Sequence, residues 1–194
     1  MIFDLGGVIW KLGVARRNKV FAKMFGVLPA DYEKAHAKFI DLVYRNVISE
    51  LGFYRKIGNE LGVEPIHKKV WKKVTLPCFP ERKSVLRLIR LLRKNGYKLA
   101  LLSNIEKGIA DYTKKRYRHN FDTFILSCDL GFAKPDKRIW QITLKKLKAK
   151  PEEAVFIDDI KEYVIKARSM GINAIQFKSV SQVKKELKRL GVGI

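Results

Sequence analysis

The chain has 194 residues, 47% of them hydrophobic, and carries 41 Lys and Arg against 19 Asp and Glu, a formal charge of +22. That size suits one domain with one substantial insertion; no run approaches the roughly 20 apolar residues of a membrane helix, and no basic leader precedes the first strand pattern, so a soluble, cytoplasmic protein with no membrane partner is expected. Cys78 and Cys128 lack C-x-x-C spacing, which excludes a disulfide framework and a thiolate zinc site, while the basic excess is spread through the chain and draws polyanions in general.

Residues 1–9 read as a short strand, Ile2-Phe3-Asp4, running into a turn at Gly6-Gly7. From Val14 to Val74, apolar residues recur at three- and four-residue spacings: Val20, Phe21, Met24, Phe25; then Ala35, Phe39, Leu42, Val43; then Leu51, Tyr54, Ile57, Leu61. Several short helices are predicted there, with starts at Asp31 and Ser49-Glu50 and breaks at Gly26, Gly62 and Pro65. Thr75 to Pro80, with two prolines, predicts a linker. Beyond it come helix 82–94, strand 99–102, helix 109–116, strand 123–126, helix 136–147, strand 154–157, helix 162–170 and strand 173–177. Helices alternating with short apolar strands predict a parallel sheet covered on both faces. Trp71 and Trp140 fall on helical patterns as packing residues. Further lysines, as in Lys184-Lys185-Glu186-Leu187-Lys188, belong to solvated helix faces.

In such a sheet, ligands sit beyond the carboxyl ends of the strands, and the polar residues at those ends are Asp4, Ser103, Asn104, Asp158 and Asp159. A carboxylate at the tip of a buried strand is costly unless a cation meets it, so two strands ending in acids suggest a shared metal site. Taken alone, Asp158-Asp159 also reads as a turn or helix cap, and Ser103-Asn104 as a turn.

In chain order, F-D-L-G-G-V, L-L-S-N, G-F-A-K-P-D and F-I-D-D resemble the four motifs of the haloacid dehalogenase-like hydrolase superfamily, over residues 1 to about 178. Arg45 to Ser49 (R-N-V-I-S) and Ser127 to Asp136 (S-x-D-L-G-x-x-K-P-D) look most like the branch that includes glucose-1-phosphate phosphatase-like enzymes. The resemblance implies a Rossmann-like three-layer α/β/α core, residues 1–13 and 80–194, with an inserted all-helical cap, residues 14–79. It further implies a Mg²⁺-dependent phosphatase acting on a small phosphorylated metabolite, such as a sugar phosphate, through an aspartyl-phosphate on Asp4. By the same resemblance, Asp4, the Gly6 carbonyl, Asp159 and Asp158 hold Mg²⁺, Ser103 and Asn104 hold the phosphoryl oxygens, and Lys134 neutralises charge on Asp4 and phosphate. Hard oxygen ligands of this kind suit Mg²⁺, which keeps several waters.

Two positions depart from the superfamily pattern. Most of its phosphatases carry a second aspartate two residues after the nucleophile, where this chain has Gly6; losing a positioned general acid/base forfeits about 10²- to 10⁴-fold in rate. Tyr163 stands where an asparagine often follows the paired acids. In the cap, Arg45 is the expected substrate contact, followed by Arg16, Tyr44 and His36, the histidine reading more simply as a helix-surface residue. Two rival readings accompany the phosphatase: a catalytically weakened member binding nucleic acid through its basic surface, with affinity that falls as salt rises, and a metal-independent 2-haloacid dehalogenase.

Overall fold

The computed structural model describes residues 1–194. Five short parallel strands, β1 (Ile2–Phe3), β2 (Ala100–Ser103), β3 (Thr123–Leu126), β4 (Val155–Asp158) and β5 (Asn173–Gln176), form one sheet in the order β3-β2-β1-β4-β5. The shortest strand is therefore the central one, with Ile2 opposite Ala100 on one side and Phe156 on the other. Its pairing extends past the strand: Asp4 N–H donates to the Ile157 carbonyl at 2.9 Å and Ala100 N–H to the Met1 carbonyl at 2.9 Å.

Successive strand residues point to opposite faces, and each face is apolar. Phe3, Leu101, Val155, Ile157 and Ile175 pack with α5 (Lys83–Lys94), α6 (Lys107–Tyr117) and α10 (Val180–Arg189). Ile2, Ala100, Leu102, Phe156 and Ala174 pack on the other face with α8 (Lys137–Leu147) and α9 (Lys161–Arg168). The result is a three-layer α/β/α, Rossmann-like core whose buried strands need no polar alternation, in agreement with the apolar runs of the sequence.

Between β1 and α5 the chain makes four helices, α1 (Val14–Phe25), α2 (Pro29–Tyr44), α3 (Glu50–Leu61) and α4 (Trp71–Cys78). Their shared interior is aromatic: Phe21 stacks on Tyr32 at 5.7 Å, and Phe53 and Tyr54 meet Trp71 at 5.0 and 6.3 Å. Three of the starts and stops expected from sequence have visible chemistry. Ser49 caps α3 by accepting from Gly52 N–H, and Gly26 and Gly62 end α1 and α3 in the left-handed region.

The predicted linker 75–80 is corrected. Helix α4 runs through Thr75 and Pro77 to Cys78, because Trp71, Thr75 and Cys78 recur at helical spacing and are all buried. Pro77 removes the bond that would reach back to the Lys73 carbonyl and crowds that carbonyl, and the helix ends one residue later. What joins the insertion to the core is instead a pair of antiparallel passages. Lys11 N–H donates to the Pro80 carbonyl, Arg82 N–H to the Ile9 carbonyl, and Trp10 bridges to Glu81. A short helix absent from the sequence reading, α7 (Ser127–Leu130), follows β3. The buried Ser127 hydroxyl accepts from Ile105 N–H at 2.9 Å and so ties α7 to the loop that carries Asn104. Both cysteines are free and buried. No helix is long and apolar enough to cross a membrane.

Candidate active site

The strand order brings three segments distant in sequence to one end of the sheet. Asp4 follows β1, Asp158 and Asp159 end β4 and begin the turn after it, and Ser103 and Asn104 lie at the end of neighbouring β2. One carboxylate oxygen from each of Asp4, Asp158 and Asp159 lies within 4.8 Å of the others. Into this corner reaches Lys134, from the loop between α7 and α8. Its ammonium donates to Asp4 Oδ1 at 2.7 Å and to Asp158 Oδ2 at 2.6 Å, with the Leu102 carbonyl at 3.4 Å.

Asn104 holds that lysine in place. Its side chain donates to the Lys134 carbonyl at 2.9 Å and accepts from the Lys134 N–H at 2.8 Å, a reciprocal pair. The Lys134 ammonium lies 4.9 Å from the Tyr163 ring and 5.5 Å from Phe156, two aromatic faces that favour the charged form. Tyr163 therefore covers the lysine, and its hydroxyl lies 3.4 Å from the Asn104 amide nitrogen. The Asn104 side chain is thus engaged with Lys134, while its N–H has no acceptor within the chain.

The electrostatics are one-sided. Three carboxylates share one ammonium, which leaves this buried corner short of two positive charges. Burial pushes the Asp4 carboxyl up to about 7, with Asp158 and Asp159 adding to the shift and Lys134 opposing it. Asp159 is raised as well, by burial and by Asp158. Lys134 is raised, because the two ion pairs outweigh its own desolvation.

The donor set fits a hard divalent cation. Asp158 spends both oxygens inside the protein, one on Lys134 and the other on the Ile160 N–H at 2.8 Å. Asp4 Oδ2 and the whole Asp159 carboxylate have no protein donor, so oxygen ligands remain for an ion that would restore the balance of charge. Gly7 is built for this arrangement. It has φ +76°, and a Cβ there would lie 2.2 Å from the Asp159 carboxylate, so only glycine fits.

A cavity of ≈ 250 Å³ opens over the cluster, lined by Asp4, Gly6, Ser103, Asn104, Lys134 and Asp159 from the core and by Arg17, His36 and Tyr44 from the insertion. Arg45 does not line it: it lies next to Tyr44 but pairs with Asp41 at 2.7 Å one turn back along α2. Arg16 is exposed, whereas its neighbour Arg17, absent from the sequence reading, is buried against the cavity. The signal was present, since Arg17 stands four and eight residues before Phe21 and Phe25 and so shares their inward face. His36 is corrected from a surface residue to a buried one. It packs against Tyr32, Phe53 and Trp71, and its Nε2 accepts from Arg17 Nη2 at 2.9 Å. Burial, with the Arg17 charge, lowers it to about 3, so the ring is neutral with its proton on Nδ1.

Carboxylates from two strand ends gathered around one lysine, on a β3-β2-β1-β4-β5 parallel sheet with a helical insertion after the first strand, define the class as a Rossmann-like α/β protein with a carboxylate-centred site. Within that class the chain belongs to the haloacid dehalogenase-like hydrolase family, which it matches over residues 1–168. It is 24% identical to the sesquiterpene phosphatase astK of Aspergillus oryzae, over 97% of this chain and 94% of that one. It is 30% identical to bifunctional epoxide hydrolase 2 of Sus scrofa over 97% of its own length, but spans only 38% of that protein. Phosphoserine phosphatase of Thermus thermophilus is 27% identical over 71% of this chain and 53% of its own. Among solved structures, a predicted HAD-like family hydrolase from Porphyromonas gingivalis superposes with TM-score 0.77 at 24% identity, covering 96% of each chain. An HAD family enzyme of Bacteroides thetaiotaomicron, solved with magnesium and inorganic phosphate, gives TM-score 0.76 at 22% identity over 94% of this chain and 96% of that one. At these identities the structural likeness speaks to the fold.

Proposed function

We propose that this hydrolase is a Mg²⁺-dependent phosphatase acting on a small phosphorylated metabolite, with Asp4 as nucleophile. The observation that carries the reading is the charge imbalance: three clustered carboxylates and one ammonium, with Asp4 and Asp159 oxygens free of protein donors. The magnesium complex of the Bacteroides enzyme and the phosphatases among the relatives point the same way.

Asp4, Asp159 and the Gly6 carbonyl would hold Mg²⁺, with Asp158 behind them fixing Lys134 and the turn. When bound, the ion neutralises carboxylate and phosphate oxygens so that the two anions can approach. Ser103 Oγ and the free Asn104 N–H would bind the phosphoryl oxygens, and Lys134 would spread the charge that develops on them. A carboxylate oxygen of Asp4 attacks phosphorus, the bond to the leaving oxygen breaks, and that oxygen takes a proton from water. A second water then attacks phosphorus of the aspartyl-phosphate, which breaks the Asp4–phosphorus bond, releases inorganic phosphate and restores the carboxylate.

With Gly6 two residues after Asp4, the position that supplies the leaving group's proton in most phosphatases of the superfamily carries no carboxyl here. Esters with acidic leaving groups, such as aryl phosphates, should therefore react much faster than alkyl phosphates. The test is phosphate release from an aryl phosphate with Mg²⁺ and with EDTA. Release that requires the cation is expected; release undiminished in EDTA, or chloride release from a 2-haloacid in its place, would contradict the reading.

A further inference from the structure

The insertion places an unpaired cation beside the phosphoryl site. Arg17 is 5% exposed, and its guanidinium meets neutral groups: Asn18 Oδ1 at 3.0 Å, His36 Nε2 at 2.9 Å and the Tyr44 hydroxyl. Its Cζ lies 5.7 Å from the Trp71 ring centroid and 5.9 Å from that of Phe79, so it sits against two aromatic rings with no carboxylate in an ion pair with it. A buried, unpaired charge is costly, and a fold that keeps one gains when a counter-ion arrives from outside. None of the acids around the two cavities pairs with it: Asp4 is held by Lys134, and Asp159 makes no ion pair with Arg17. Glu106, which lines the smaller cavity, makes no ion pair with Arg17: it accepts from the Ile109 N–H as the cap of α6, and burial pushes its carboxyl up to about 8.

Arg17 also lines a second, smaller cavity of ≈ 90 Å³ that shares Gly6, Tyr44, Ser103 and Asn104 with the larger one. Two further residues lining it carry buried polar atoms with no partner, Trp71 Nε1 and Thr75 Oγ1, in side chains 1% and 5% exposed. Buried donors are normally satisfied, so unsatisfied ones around a cavity mark the groups that a ligand completes. The set consists of one planar cation and an indole N–H, with hydroxyls from Thr75 and Tyr44, an arrangement that asks for an acceptor-rich, singly charged, compact anion. A carboxylate meets that demand, and its plane matches the guanidinium fork. A second phosphate would bring more charge than one guanidinium balances.

Resting on the phosphatase reading, we propose that Arg17 determines specificity by pairing with a carboxylate on the leaving group, and that the substrate is a phosphate monoester of a small hydroxy acid. Asp4 and Lys134 then face the phosphoryl group in the larger cavity while the acid end enters the smaller one. Trp71 and Thr75 donate to the carboxylate or to a neighbouring hydroxyl.

The experiment compares kcat/KM for phosphoglycolate and 3-phosphoglycerate with that for ethyl phosphate, glycerol 1-phosphate, a sugar bisphosphate and an aryl phosphate. The carboxylated esters should exceed the neutral alkyl esters by roughly 10- to 100-fold, the range of a hydrogen bond to a charged group. Arg17→Met should bring that ratio close to one, mainly through KM, and Arg17→Lys should retain part of it. Binding gives a readout without turnover: in Asp4→Asn protein, phosphoglycolate should raise the melting temperature more than ethyl phosphate does, and Arg17→Met in that background should erase the difference. Should Arg17→Met fail to fold, competitive inhibition of the wild type by glycolate and lactate, but not by ethanol, carries the same information. Equal rates on carboxylated and neutral esters, or a ratio untouched by Arg17→Met, would overturn the proposal, as would a preference for the bisphosphate. No phosphate from any ester, the aryl one included, would instead remove the phosphatase reading beneath it.

Discussion

Lys134 is the only cation between Asp4 and Asp158, and all three side chains are nearly or fully buried. Replacing one partner of such a pair leaves the others charged and unmatched, so Lys134→Met should cost about 3–5 kcal/mol in urea unfolding without metal at pH 8. The same cluster sets a pH dependence. Asp4 titrates near 7 when folded, above the roughly 4 of an unfolded carboxyl, so its contribution to metal-free stability is present at low pH and lost as pH rises through 7. A cation that displaces the Asp4 proton acts in the opposite sense. The rise in melting temperature caused by Mg²⁺ relative to EDTA should therefore grow from pH 5.5 to pH 8; an increment that shrinks over that range would refute the assignment of Asp4 to the ion site. Gly6 offers a further test, because a Cβ there meets nothing within 4 Å. Gly6→Asp should fold, and it should raise turnover of alkyl phosphates by ~10-fold or more, within the range of a positioned acid, with less effect on aryl phosphates. At this scale the strand-end residues were legible because short polar groups after apolar runs stand out. Arg17 was legible only in part: its spacing to Phe21 and Phe25 puts it on their inward face, but among 41 basic residues that signal is easily passed over, and its contacts with Asn18, His36, Trp71 and Phe79 are not displayed by the pattern.

Among the elements, strands were easier to read than the insertion. The strands β2 to β5 lie within a residue or so of their expected positions, since a strand buried on both faces is a continuous apolar run. The second half of α4, from Thr75, was hidden because its inward stripe includes a threonine and its last turn a proline, both of which read as loop. The two passages that join insertion to core meet at Gly13, where a Cβ would fall 1.8 Å from the Cys78 carbonyl oxygen. Gly13 has an ordinary φ of −132°, so this constraint is one of contact and not of backbone strain. Gly13→Ala should push the passages apart, lowering the melting temperature and raising KM more than it lowers kcat, because the walls of the cavity come from both sides of that crossing. Inside the insertion, Phe21 touches Tyr32, Tyr54 and Trp71, and Phe21→Ala should cost about 3–5 kcal/mol in chemical denaturation.

The charge of +22 belongs to the whole molecule. It surrounds a site whose own carboxylates are negative, so an anionic ester is drawn toward the protein by the general field and toward the cavity by Lys134 and Arg17. Attraction of that kind acts on encounter and is screened over about 8 Å at physiological salt. kcat/KM should thus fall severalfold between about 20 and 300 mM salt while kcat stays nearly constant. The most direct measurement of the central claim is the rate of phosphate release from an aryl phosphate, in Mg²⁺, by the wild type and by Asp4→Asn under matched conditions. Loss of release to background in the variant, with its fold intact by circular dichroism, is the predicted result. Release by Asp4→Asn at the wild-type rate would mean that another group attacks phosphorus and would contradict the account.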